Sequence, residues 1–279
     1  MISISSYAKI NFGLQVLNKR SDNFHNINTL FARISLKDII YIEESEKNEI
    51  LFTNDTKIPL EDNLVYKVIV DFKRRFNVAD NFRVTINKKI PMGGGLGGGS
   101  SNAAYVLGTL AKLYKVEKDW KNLSIIAQKI GSDVPFFLKS GLAIGQSRGE
   151  MLKYFRAIFP YTILIVNPNL SISTPTAFAE LNRSEEVGRV LDLQNLFLRG
   201  LENPIIWQEF IVNDFEKIIF DKYQELREIK ASLYKYGAEF ALMSGSGSTL
   251  FGVFNDEETA RNAEKQFSNY FTYICEMIV

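Results

Sequence analysis

Six of the chain's 18 glycines fall within the seven positions 93–99, in the run Pro91-Met92-Gly93-Gly94-Gly95-Leu96-Gly97-Gly98-Gly99-Ser100-Ser101-Asn102. Residues without a Cβ let successive backbone N–H groups turn toward one anion, and a helix opening there adds about half a positive charge. Serine hydroxyls at the helix start can cap it, or face a phosphate or a bound metal. The chemistry this suits is the seating of a polyphosphate. No Gly-Lys-Ser/Thr closes the run, and no lysine lies between Pro91 and Lys112, so it is not a Walker A loop. It is too glycine-dense for the dinucleotide fingerprint and has no well-placed acidic ribose partner. A flexible linker is the bland alternative, but linkers do not sit tightly between a strand and a patterned helix.

Other residues have chemical potential beside a plainer reading. Lys9 and Asn11 share one face of a strand whose other face is Ala8, Ile10, Phe12, Leu14 and Val16. A mid-strand lysine is either an edge guard against aggregation or a functional cation. Arg20-Ser21-Asp22-Asn23-Phe24-His25 is a polar turn ending in an aromatic pair, where a lone histidine is commonly packed or turn-bonded. Asp133 stands two residues before Pro135, as helix N-caps often do. Phe178, after Ser173-Thr174-Pro175, reads alone as helix packing, and Ser244-Gly245-Ser246-Gly247-Ser248 as a hairpin loop between apolar strands.

The positioning elements follow from periodicity. Phe82, Val84 and Ile86 alternate with Arg83, Thr85 and Asn87, giving a strand before the glycine run. Ala103, Val106, Leu107, Leu110 and Leu113 give a helix after it. Strands are expected at Leu30–Ile34 and Ile39–Ile42, with Glu43–Glu49 as a solvated hairpin tip. Asp62 is the expected cap of a helix burying Leu64, Val65, Val68, Ile69 and Phe72. A helix spans about 119–130 and ends at Gly131, and a second domain starts near Tyr161–Val166. One long helix is expected from Asn213 to Gly237, then a helix near 257–267 and a last strand ending at Val279. Glu185 to Leu201 shows no strong pattern and is assigned no function.

Composition narrows the classes. Length 279 suits two modest domains or one large one, and 46% hydrophobic with 23% charged residues is ordinary for a soluble globular protein. With 33 basic and 32 acidic residues the net charge is +1, so no bulk field points to nucleic acid or a membrane surface. Cys275 is the single cysteine and His25 the single histidine, which excludes an internal disulfide and multi-cysteine or multi-histidine metal centres. Lys9 and Asn11 interrupt any apolar core near the N-terminus, so no signal peptide is expected, and the apolar runs are too short for a membrane span. A cytoplasmic location is expected.

The glycine run resembles the phosphate loop of the superfamily of galactokinase, homoserine kinase, mevalonate kinase and phosphomevalonate kinase, the GHMP kinases. Its long form resembles that of the branch acting on 4-diphosphocytidyl-2-C-methyl-D-erythritol. Segments near residues 6–11, 20–31, 91–103, 131–136, 173–178 and 244–249 resemble that branch in the same order. The resemblance implies an α+β, two-lobed fold. The N-terminal lobe, residues 1–158, would be ribosomal-protein-S5-domain-2-like and bind ATP. The C-terminal lobe, 159–279, would be a ferredoxin-like α/β-plait, its last strand packing back on the first lobe. It implies an ATP-dependent kinase, with Mg²⁺ arriving on the nucleotide and no protein metal ligand assigned.

Carried onto this sequence, Lys9 and Asp133 are the implied catalytic pair, Asp133 as general base and Lys9 holding it ionised. Pro91, Gly93, Gly94, Gly95, Leu96, Gly97, Gly98, Gly99, Ser100 and Ser101, with Asn63 and Lys88, are implied to hold ATP. Asn11, Phe24, His25, Thr174, Phe178, Gly245, Ser246 and Gly247 are implied to hold a cytidyl diphosphate polyol, Phe24 and Phe178 stacking on the base. A homoserine- or mevalonate-type substrate is the alternative. The chain would be a monomer or homodimer without nucleic-acid or membrane partners. It departs from the family's turns in three places: Asn23 and Ser147 stand where glycine is usual, and Phe24 stands where tyrosine is usual.

Overall fold

In the computed structural model, which describes residues 1–181 and 189–278, the chain runs β1 (Ile2–Lys19), β2 (His25–Ser45), β3 (Glu49–Phe52), α1 (Leu64–Phe76), β4 (Asn81–Asn87), α2 (Gly98–Leu113), α3 (Trp120–Ile130), α4 (Val134–Phe137), β5 (Leu142–Ser147) and β6 (Met151–Phe155). It continues with β7 (Thr162–Asn167), α5 (Thr174–Leu181), α6 (Leu193–Gly200), α7 (Ile205–Phe210), α8 (Phe215–Lys222), α9 (Gln224–Lys235), β8 (Phe240–Met243), β9 (Leu250–Phe254), α10 (Glu257–Glu264), β10 (Phe271–Cys275) and β11 (Met277–Ile278). Two compact units result. The first comprises Met1–Ala8, Leu36–Ile90 and Gly97–Ser140; the second comprises Lys9–Ser35, Pro91–Leu96 and Gly141–Val279.

In the first unit β4 keeps the alternation of its sequence, burying Phe82, Val84 and Ile86. It pairs antiparallel with the Ile39–Ser45 part of β2 and parallel with β3. The stretch Glu43–Glu49 is therefore not a hairpin tip. Asn48 accepts from the Phe82 N–H at 3.0 Å and Asn81 donates to the Glu46 carbonyl at 2.8 Å, which carries the chain across to the far side of β4. Helices α1 to α4 bury Val68, Phe72, Val106, Leu110, Ile126 and Phe136. The cap of α1 is Asn63, whose Oδ1 accepts from the Val65 N–H at 2.9 Å. Asp62, the expected cap, lies in a short 3-10 turn instead.

Leu30–Ile34 and Ile39–Ile42 are one strand, not two. The polar interruption at Asp38 is absorbed because its buried carboxylate accepts the N–H groups of Lys89 and Ile90 at 2.7 and 2.8 Å.

In the second unit β1 and β2 pair around the turn at 20–24. β2 pairs antiparallel with β5, from Ile27 opposite Ser147 to Phe31 opposite Ala143, and β5 with β6. β11 pairs with β2 at Met277 opposite Ile34. A separate antiparallel sheet has the order β10-β7-β9-β8. Phe12 sits at the centre of an aromatic cluster, with Phe197, Trp207 and Phe240 at ring distances of 5.1, 5.1 and 5.0 Å.

That cluster explains α6, which the sequence reading leaves without a pattern. Phe197 is its inward anchor, and Asp192 caps it by accepting from the Asn195 N–H. The rest of that reading, residues 185–188, lies outside the described residues, as does Val279. The long helix expected from Asn213 breaks at Tyr223, where φ is −127°, into α8 and α9. Among the described residues no helix is long and apolar enough to cross a membrane.

Candidate active site

The glycine run turns through left-handed backbone at alternate positions, with φ of +66°, +77° and +67° at Gly93, Gly95 and Gly97. At Gly95 the need is double, because a Cβ would lie 2.0 Å from the Ser244 carbonyl oxygen. The Ser244 hydroxyl donates to the Gly95 carbonyl at 2.9 Å, and the Thr249 N–H reaches the Gly94 carbonyl at 3.3 Å. A Cβ at Gly94 would meet Asn167 Nδ2 and Thr249 Oγ1 at 2.5 and 2.6 Å. The first half of the run is thus glycine-rich partly because the Ser244–Ser248 turn packs against it.

Lys9 is 3% exposed, which removes the edge-strand reading. Its ammonium donates to Asn11 Oδ1 at 2.5 Å and to the Gly95 carbonyl at 3.0 Å, and its N–H donates to the Leu96 carbonyl at 3.0 Å. The Asn11 orientation is fixed by its neighbours. Thr29 donates its hydroxyl to the Gly13 carbonyl at 2.7 Å, so it must accept from Asn11 Nδ2 at 2.8 Å, which leaves Oδ1 for Lys9. The Asn11 N–H donates to Ser244 Oγ at 3.1 Å. Strand β1 and the Ser244 turn therefore hold the ammonium rigidly beside the glycine run.

In the first unit, α2 begins with the N–H groups of Gly98, Gly99 and Ser100 ahead of its first i→i−4 bond, from Ser101 to Gly97. These are the donors an anion would meet. Ser101 faces inward: its hydroxyl donates to the Tyr7 carbonyl at 2.6 Å and lies 2.8 Å from that of Ser6. Ser100 is half-buried, and a Cβ at Gly131 would lie 3.8 Å from its Oγ, so the turn leading to Asp133 sits against the start of α2. Asp133 occupies the N-cap position of α4.

Lys88 points into the unit. It donates to Asp38 Oδ2 at 2.8 Å and to the Ile90 carbonyl at 2.7 Å, beneath Gly98, where a Cβ would come within 2.9 Å of Nζ. Burial pushes its pKa down against the opposing pull of Asp38. Asn63 uses its carbonyl oxygen on the α1 cap, and Leu64 beside it touches the Gly99 position at 3.6 Å.

Of the residues expected to hold substrate, His25 and Phe178 stack directly on each other, with centroids 5.2 Å apart and planes 18° apart. Phe178 also meets Phe215 edge-on at 4.9 Å. His25, Phe178 and Phe215 thus form one continuous aromatic group. Phe24 is 50% exposed, with the Arg148 guanidinium 4.7 Å from its ring centre. The Thr174 hydroxyl, at the start of α5, lies 2.8 Å from that of Ser246. Gly245 and Gly247 both have positive φ. Thr29, Asp38 and Asn167 also support the site and were not singled out from the sequence; their signal was polar character inside otherwise apolar strands.

The model of the GHMP kinases N terminal domain matches residues 63–141, and that of the GHMP kinases C terminal domain matches 177–272. The 4-diphosphocytidyl-2-C-methyl-D-erythritol kinase of Thermodesulfovibrio yellowstonii is 37% identical over 100% of this chain and 99% of its own. The chain belongs to the GHMP kinase family. The Petrotoga mobilis kinase of the same name is 40% identical over 90% of this chain and 98% of its own. A crystal structure of 4-(cytidine 5'-diphospho)-2C-methyl-D-erythritol kinase superposes with a TM-score of 0.84 at 30% identity, covering 100% of both chains. A homoserine kinase from Cytophaga hutchinsonii, at 18% identity and a TM-score of 0.69, shares the fold, covering 99% of this chain and 95% of its own. As a GHMP kinase the chain is an ATP-dependent small-molecule kinase with an α+β, two-lobed fold.

Proposed function

We propose that the chain transfers the γ-phosphoryl group of ATP to the 2-hydroxyl of 4-diphosphocytidyl-2-C-methyl-D-erythritol, giving the 2-phosphate and ADP, in the non-mevalonate route to isoprenoid precursors. The observation that carries this reading is full-length similarity to kinases of that name, 37% identical over 99% of one of them. Homoserine and mevalonate kinases share the fold at 18% and 15% identity.

Phosphoryl transfer needs a seat for the triphosphate, charge around the moving group and an acceptor for the hydroxyl proton. The opening amides of α2 and the glycine run supply the seat. The substrate oxygen forms the new bond to phosphorus as the bond to the β–γ bridging oxygen breaks, and Asp133 takes the proton. Lys9, oriented by Asn11 and the Gly95 carbonyl, supplies positive charge to the phosphoryl oxygens or the forming alkoxide.

Among the described residues no group of three or more His, Cys, Asp or Glu side chains could hold a metal. Hydroxyl and phosphate oxygens suit Mg²⁺, which keeps several waters and enters on the nucleotide. With Ser101 turned inward, Ser100 is the hydroxyl available to it. Bound Mg²⁺ would neutralise the charge developing on the phosphates.

The test is ADP release with ATP, Mg²⁺ and purified 4-diphosphocytidyl-2-C-methyl-D-erythritol, beside homoserine and mevalonate. Turnover with the cytidyl compound alone is expected. Turnover only with a control would overturn the substrate while leaving the kinase.

A further inference from the structure

Asn23 and Ser147, two residues that stand where the family's turns usually have glycine, both adopt left-handed backbone, with φ of +65° and +61°. Such φ explains the usual glycine and makes a serine there unfavourable unless its side chain brings something glycine lacks. Here it does. Ser147 Oγ accepts from Arg20 Nη1 at 2.7 Å and donates to Glu150 Oε1 at 3.0 Å. The other Glu150 oxygen accepts the Arg148 N–H at 2.8 Å, and the Arg148 guanidinium lies over Phe24 at 4.7 Å.

The circuit then closes on itself. The Phe24 N–H donates to Asp22 Oδ1 at 3.2 Å, and Asp22 pairs with Arg20 at 3.0 Å. Beside the β2–β5 ladder, which ends at Ile27 opposite Ser147, two side-chain links tie the β1–β2 turn to the β5–β6 turn: a hydrogen bond from a charged guanidinium and a cation–π contact. The tethered turn carries Phe24 and leads directly into His25, which stacks on Phe178.

We infer that Ser147 is a positioning residue, and that its hydroxyl, held between Arg20 and Glu150, orients the Phe24–His25 turn and so sets the affinity for the cytidyl end of the substrate. This rests on the substrate reading proposed above. Ser147 acts through Arg20 and takes no part in the transfer of the phosphoryl group.

Ser147→Gly separates this role from a structural one, because the two move opposite observables. Glycine relieves the left-handed backbone, so the melting temperature holds or rises. It loses the tether, so KM for the cytidyl substrate rises about fivefold to tenfold while kcat and the KM for ATP stay within about twofold, as expected when part of one lost bond to a charged group is passed on to the substrate. Arg20→Lys, which keeps the charge but not the fork, is expected to give the same shift, and the double variant no further loss.

Calorimetric titration with CDP provides the control. If the unsubstituted protein binds CDP and Ser147→Gly binds it equally well, the inference is overturned and the substrate reading stands. If the unsubstituted protein neither binds CDP nor turns over the cytidyl substrate, the substrate reading itself falls, and the inference with it. A variant that loses melting temperature together with every kinetic constant would make Ser147 a fold residue only, which also overturns the inference.

Discussion

Asp133 stands at the N-cap position of α4. Asparagine keeps the shape of its side chain, so the substitution should leave the fold intact while removing the proton acceptor. Asp133→Asn is expected to lower kcat at least about a hundredfold, with the melting temperature and the KM for ATP unchanged. Steady-state kinetics beside a thermal melt decide this, and near-normal kcat would take Asp133 out of the role. The glycines of the run also separate. A Cβ at Gly95 meets the Ser244 carbonyl at 2.0 Å, whereas one at Gly99 meets only Leu64 Cδ1, at 3.6 Å. Gly95→Ala is expected to cost more than about 2 kcal/mol in urea denaturation, and Gly99→Ala less than about 1 kcal/mol. Equal losses would mean that the approach of Ser244 does not dictate Gly95. Local motif spelling made Lys9 and the glycine run legible in the sequence. Their supports were not, because Asn11 meets Thr29 across 18 positions and Ser244 across 233.

At the scale of elements, what periodicity encodes was readable and what pairing decides was not. β4, α2 and α3 bury most of the faces their sequences announce, since amphipathic spacing is a property of one segment, although Leu113 at the end of α2 is exposed and Ile130 at the end of α3 is half-buried. The continuity of β2, the crossing of β3 to the far side of β4 and the break at Tyr223 depend on partners elsewhere in the chain. Asp38 is the clearest instance. A buried carboxylate in mid-strand becomes intelligible only with Lys88 and the Lys89 and Ile90 amides around it. Asp38→Ala would leave the Lys88 ammonium buried without its counter-charge and two amides without their acceptor. A loss of about 3–5 kcal/mol is expected by urea denaturation, the usual effect of breaking a buried pair. A loss below about 1 kcal/mol would show that the pair does not hold the strand to the entrance of the glycine run. Because Lys88 lies beneath Gly98, a weaker KM for ATP should accompany it.

For the molecule as a whole, charge is nearly balanced, 33 basic against 32 acidic residues, so general repulsion is a small term near neutrality. The pH dependence of stability then falls to individual buried groups, and the clearest lie on the alkaline side. Cys275 is 3% exposed, and burial pushes its thiol well above the ordinary value of 9.0. Burial likewise raises Tyr154 and Tyr234 above 10.0. In each the folded chain holds its proton more tightly than the unfolded chain does. The stabilisation is therefore complete below the ordinary pKa and declines as pH rises past it. The melting temperature should hold up to about pH 8.5 and then fall, the thiol acting first and the tyrosines about a unit higher, while Lys88, whose lowered pKa has the opposite sign, offsets part of the fall. Cys275→Ala should start from a lower midpoint through lost packing, but its decline should begin nearer pH 10, where the tyrosines take over. The same burial predicts that Ellman's reagent labels the thiol fully in denaturant and only slowly in the native protein. An unchanged onset of the decline in Cys275→Ala, or rapid native labelling, would remove the thiol as the source of the first alkaline loss.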